Sequence, residues 1–403
     1  MISSSTQKNK LNSVVINVYL AFLGLFGFSI LGQHVVLNVL HLPFSFMELY
    51  FLPVIWCKRH KIVQAFKNMG KVNIPKVCLY LLLIFGFLYG VIATLDVNTV
   101  LAYRSILYLI LCYHYVQRTN LNIHPGTILK VCIFAMIGEF VYIIVFSTSS
   151  IVSSTNCIAI ALAIITAFVQ QKYWVSIACI AFGCVLSIMT GFRIGIFVVA
   201  LCGIEMLLYI AFAAPKKQKL ISYFRRFFMI GVIVIGMIVV VSNYEIVVAK
   251  IAKLTGMSQF AIFRVTERIR GLFMGDARIS QDTFRLEIMK YQFERFWQVL
   301  PRGLVGEAIG EYWMYIDVPM IYLYDLFGSI ASVCICLWLF KKIMWQVWHY
   351  KRYRNCPLKI ISIWMVPVLL TVFLINGTFM VAVFQAIETG FLLGILTNKR
   401  LKQ

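Results

Sequence analysis

The chain is short of acids and of charge altogether. Asp and Glu account for 15 of its 403 residues against 37 Lys and Arg, and charged residues make up 13%. At 61% hydrophobic, the chain carries more apolar surface than a soluble domain of this length can hide from water. It has no GxxxxGKS/T phosphate loop, so no built-in nucleotide hydrolysis is expected. None of its His, Cys and Asp residues cluster at zinc-like spacing, so neither a metal nor another cofactor is expected. It has no internal repeat, no low-complexity segment, and none of the alternating ten-residue segments of a transmembrane β-barrel. Nothing in it suggests a nucleic-acid partner.

What the chain does have is apolar runs about 20 residues long, enough to cross a hydrocarbon core of ~30 Å. Twelve spans are expected, at 13–31, 35–56, 77–95, 99–116, 128–147, 151–169, 173–190, 194–213, 227–244, 314–340, 358–376 and 378–397. The fold class is therefore all-α: a polytopic helical bundle in a membrane, a single domain over 1–403. The polar N-terminus MISSSTQKNKLNS precedes a first run with no small-residue cleavage site, which reads as a retained helix rather than a signal peptide. The 11 cysteines lie almost all in or beside apolar runs and read as packing residues.

Orientation follows from Lys and Arg. With the N-terminus inside, the inner segments collect 25 of the 37 basic residues, so both termini are expected in the cytoplasm. The other twelve include nine arginines. Arg104 and Arg193 sit at outer helix ends. The rest fall in one outer loop, 245–313, between helices nine and ten, and include Arg264, Arg268, Arg270, Arg278, Arg285, Arg295 and Arg302. Orientation needs only positive charge, whereas arginine adds a planar fork that grips phosphate oxygens at two points. The loop is expected to be a structured cap. Leu286, Met289, Phe293, Phe296, Trp297 and Leu300 recur at helical spacing, Asp282 can cap the helix, and Pro301 ends it.

This chemistry suits a lipid-linked diphosphate, whose head lies at the membrane surface and can leave without metal or nucleotide once its charge is neutralised. Each residue also has a plainer reading. Arg193 can snorkel, though Gly191 and Gly195 beside it allow close approach of a ligand. Arg104 can be an interfacial anchor. Arg285 and Arg295 can pair with Glu287 and Glu294 on a solvated helix. Asp317, where the loop returns to the membrane, is either a helix cap before Pro319 or a general base. Tyr322, about one turn on, is an interfacial anchor or a platform for a sugar ring. Glu139, Glu205, Asp325 and Glu388 lie within apolar runs, where carboxylates are functional by default, and they keep an ion-coupled transporter open as a reading.

Three segments now fall into a familiar order: TGFRIGIFVVAL (190–201), FRLEIMKYQFERFWQVLPRGLVG (284–306) and DVPMIYLYDLFGSIASVCICLWLF (317–340). Arg295 and Gly306 also have ten residues between them, as in an Arg-x10-Gly pattern. Over 185–340 the chain resembles the O-antigen polymerase and ligase superfamily, with FR where SR is usual. The resemblance implies a bacterial inner-membrane enzyme that uses undecaprenyl-diphosphate-linked sugars at the periplasmic face. It implies that Arg193 and Arg285 contact the lipid diphosphate and that Asp317 stands nearest the catalytic position; beside them, Arg104, Arg278 and Arg295 are expected to assist and Tyr322 to stack on a sugar. Implied partners are a lipid-linked oligosaccharide donor and acceptor, membrane lipids, a chain-length regulator and a flippase. The six histidines (His34, His41, His60, His114, His124 and His349) are all absent from the outer loop, which favours a polymerase over a ligase. A lipid-linked oligosaccharide flippase is the rival from another class, and the long outer loop counts against it.

Overall fold

The computed structural model describes residues 14–42, 45–57, 59–60, 63, 74–94, 97–119, 123–146, 156–190, 193–208, 228, 231, 235, 242–255, 266, 290, 294, 319–353, 355–375, 383–398 and 401. Helix makes up 91% of the structure and no strand occurs among the described residues, in keeping with the all-α class. In chain order the helices are α1 (Val14–Gly27), α2 (Ile30–His34, continued by a π turn Val35–Val39), α3 (Phe46–Cys57), α4 (Ile74–Thr94), α5 (Val97–Arg118), α6 (Pro125–Phe146), α7 (Cys157–Val169), α8 (Tyr173–Thr190), α9 (Arg193–Leu208), α10 (Tyr244–Thr255), α11 (Pro319–Trp348), α12 (Pro357–Trp364), α13 (Val366–Ile375) and α14 (Val383–Thr397).

Among the described residues, Pro125–Phe146, Tyr173–Thr190 and Leu326–Trp348 are long and apolar enough to cross a membrane, and six shorter apolar helices accompany them. Their outer surfaces are apolar as well. On α4, Leu81, Ile84, Phe85, Leu88 and Ile92 form one exposed stripe at helical spacing, and on α11 Val333, Leu337, Phe340 and Met344 form another. Such stripes are unfavourable in water and suit lipid. The architecture is that of a helical membrane protein.

The contacts group into two units, Met1–Tyr50 with Ile123–Met274, and Phe51–Asn122 with Gly275–Gln403. In the first unit, α6 packs on α1, α2, α7 and α8, and α9 packs on α7 and α8. Local chemistry sets the helix starts. At α3, Ser45 and Glu48 form a capping box: the Ser45 N–H donates to Glu48 Oε2 at 2.6 Å and the Glu48 N–H to Ser45 Oγ at 3.3 Å, satisfying two otherwise orphaned donors. At α7, Asn156 Oδ1 accepts from the Ala159 N–H at 3.0 Å. Cys132, Cys157, Cys179 and Cys202 are buried.

In the second unit, α14 lies along α5 and α11 packs on α4 and α13. The α5–α14 contact rests on a GxxxG pair. A Cβ on Gly390 would sit 2.5 Å from the Leu109 carbonyl oxygen, and one on Gly394 2.6 Å from Val116 Cβ, so only glycine lets the two backbones approach this closely. The end of α5 is closed by Asn398, whose Nδ2 donates to the carbonyls of Val116 at 2.8 Å and Thr119 at 2.9 Å. Lys359 is buried, donates Nζ–H to the Leu396 carbonyl at 3.3 Å, and lies 4.2 Å from the centre of the Tyr353 ring. Burial raises the Tyr353 phenol above its ordinary value.

Four boundaries differ from those expected. The first helix does not end near 31; it breaks at Phe28–Ser29 and resumes as α2. The second span starts at the capping box, at Phe46 rather than 35. The expected span 314–340 is α11, which carries non-helical backbone at Gly328 and continues to Trp348. The expected 358–376 divides at Met365 into α12 and α13, next to Pro367, which has no N–H to continue the ladder.

Candidate functional site

In the first unit, α9 begins at Arg193 itself, with two residues between it and the end of α8 at Thr190. The first turn of α9 contains no acidic residue. A helix N-terminus carries partial positive charge and unpaired N–H groups. Such a terminus favours an anion.

In the second unit, the helix that follows the long loop is broken. Gly328 has φ 83° and ψ 172°, a region essentially limited to glycine. The break leaves carbonyls without helical partners, and Tyr103 of α5 supplies one. Its buried hydroxyl donates to the Leu326 carbonyl at 2.7 Å and lies 3.1 Å from the Gly86 carbonyl. Its ring meets Phe327 edge-on at 5.2 Å and Phe87 at 5.1 Å. Gly86 and Gly90 of α4 make room for this clamp, since a Cβ on Gly86 would lie 3.0 Å from Phe327 Cα and one on Gly90 2.4 Å from the Tyr103 hydroxyl. Ser332 Oγ donates to the Gly328 carbonyl at 2.8 Å.

The clamp fixes the half-helix Pro319–Phe327, which carries Tyr322 about one turn before Leu326. Arg104, half-buried, is the residue after Tyr103 on α5. The structure thus brings Arg104 and Tyr322 onto the two elements that Tyr103 joins. Broken helices at membrane depth persist where protein or a cavity covers them.

The remaining expected site residues, Asp317, Arg278, Arg285 and Arg295, lie outside the described residues, as do the side chains of Arg193, Tyr322 and Asp325. In the expected cap helix, Lys290 and Glu294 are helical and exposed, and they pair at 3.9 Å. Sequence reading missed Tyr103 and the break at Gly328. The GFLYG motif at 86–90, a GxxxG pair, was the available signal.

The intramembrane carboxylates divide. Glu139 Oε1 accepts the Ile30 N–H at 3.0 Å, capping α2 at the first helix break, while Asn156 Nδ2 donates to the Phe28 carbonyl at 2.8 Å on the other side of it. Glu205 is buried on α9 and its carboxylate has no hydrogen-bond partner among the described residues. Glu388 is buried on α14. Among the described residues no group of three or more His, Cys, Asp and Glu side chains is placed to hold a metal ion. No family model, curated protein or solved structure matches the chain.

Proposed function

We propose that the chain is a bacterial polymerase of O-antigen or a related envelope polysaccharide. It is a polyisoprenyl-diphosphate-dependent glycosyltransferase that moves a growing glycan from undecaprenyl diphosphate onto a lipid-linked repeat unit. In this reading it spans the inner membrane twelve times with both termini in the cytoplasm, and 245–313 forms a periplasmic cap. The observation that carries the reading is the concentration of arginine in 245–313, a segment this reading puts outside, with Arg193 at the opening of a helix that has no acid in its first turn.

The acceptor hydroxyl oxygen bonds to the anomeric carbon of the donor glycan while the anomeric carbon–phosphate bond breaks. Asp317 takes the hydroxyl proton. Arg193 and Arg285 neutralise the departing diphosphate, with Arg104, Arg278 and Arg295 assisting, and Tyr322 stacks on a sugar ring. Charge stabilisation of the leaving group is the main catalytic term, and the chemistry needs no cofactor. A chain-length regulator and a flippase are the expected protein partners.

The test is surface lipopolysaccharide from a strain lacking the chain, beside a complemented control. Core capped by a single repeat unit, without a ladder, supports the polymerase. Bare core rejects it in favour of the ligase or flippase. One observation favours a transport reading instead, the Glu139 carboxylate at a broken helix, because ion-coupled transporters place acids and broken helices together.

A further inference from the structure

The second unit encloses a cavity of about 520 Å³, within the ~300–1,000 Å³ of small-molecule sites. Aliphatic and aromatic side chains of α4, α5, α11, α13 and α14 form nearly all of its wall, and none of the described lining residues is acidic. Leu337 and Phe340 line it and are also exposed on the apolar stripe of α11, so it opens sideways toward lipid.

Its polar margin lies toward one end of the unit. The Tyr80 hydroxyl pairs with His114 Nε2, and the Tyr113 hydroxyl accepts from Gln117 Nε2 at 2.9 Å. Arg118, the last residue of α5, is within electrostatic reach of both tyrosines. On α11 the lining residues Phe340 and Ile343 bracket Lys341 and Lys342, which are exposed. Hydrocarbon walls with cations at the margin complement an amphiphile that has an anionic head.

We propose that the cavity binds an acyl chain of an anionic phospholipid, with its phosphate at Arg118, Lys341 and Lys342. Basic residues at a membrane surface select anionic headgroups, and the wall solvates the chain. The proposal does not rest on the glycosyl-transfer reading, and the cationic margin lies away from the residues assigned to that reaction. Arg118 is fourteen residues along α5 from Arg104, roughly 21 Å at helical rise.

The full chain is purified, exchanged into lipid-free detergent and examined by native mass spectrometry with added phosphatidylglycerol, phosphatidylcholine of the same chains, or a polyprenyl phosphate. The expected result is retention of phosphatidylglycerol over phosphatidylcholine. Filling the cavity with Ile110→Trp should abolish that retention, and Lys341→Gln should weaken it roughly fivefold, the effect of one cation at an anionic surface. Lys341 is exposed, so its variant tests the site even where the tryptophan disturbs packing. Equal retention of the two phospholipids overturns the proposal, as does retention unchanged by both variants. Displacement of phosphatidylglycerol by polyprenyl phosphate at equal concentration assigns the cavity to the isoprenoid and overturns it too.

Discussion

The Tyr103 hydroxyl donates to the Leu326 carbonyl at 2.7 Å across 223 residues of sequence. That bond ties the longest described helix, next to the point where it breaks, to α5. Replacing Tyr103 with Phe removes the donor and leaves a buried carbonyl unpaired, at a cost of about 1–3 kcal/mol. Thermal unfolding of the purified variant in detergent checks this, and a midpoint equal to the parent would show that the clamp contributes nothing.

Gly328 and the Gly390/Gly394 pair should be intolerant for different reasons. Gly328→Ala forces a side chain into φ 83° and should cost about 1–3 kcal/mol. Gly390→Leu drives a side chain into the Leu109 carbonyl oxygen, 2.5 Å from the Cβ position, and should separate α14 from α5. A cysteine pair placed across that contact reads the separation as a loss of cross-linking.

Much of the fold was legible because long apolar runs end at polar residues. The span read at 173–190 is α8 to the residue, and those at 99–116 and 128–147 match α5 and α6 within about three residues at either end. The breaks were not legible, because distant partners stabilise them. Nothing in GFSILGQH says that the chain interrupts at Ser29; the Ile30 N–H is satisfied by Glu139, 109 residues away. Gly328 likewise depends on Tyr103. The start of α3 was misplaced to 35, although Ser45 and Glu48 at capping-box spacing were an available signal. At the site, the opening of α9 at Arg193 was legible as the charged edge of an apolar run, whereas the cap that carries Arg278, Arg285 and Arg295 lies outside the described residues.

Glu139 separates catalysis from ion coupling. Glu139→Gln keeps an oxygen that can accept the Ile30 N–H, so the polymerase account expects near-parental polymer and stability. Glu139→Leu loses the cap and should cost about 1–3 kcal/mol in stability. Loss of function in a stable Gln variant would instead favour proton or ion coupling.

Arg193→Lys keeps the charge and discards the two-pronged geometry. Polymer formation should fall by at least tenfold, about 1.4 kcal/mol or more in transition-state stabilisation, with the protein still present in the membrane. Full activity of the lysine variant would remove Arg193 from the diphosphate site.

The most direct measurement supplies the purified chain, in vesicles, with undecaprenyl-diphosphate-linked repeat units as the sole substrate. The account predicts lipid-linked polymers and release of one undecaprenyl diphosphate for each unit joined, without added nucleotide or metal. Repeat units that remain single, or that only cross the bilayer, would contradict it.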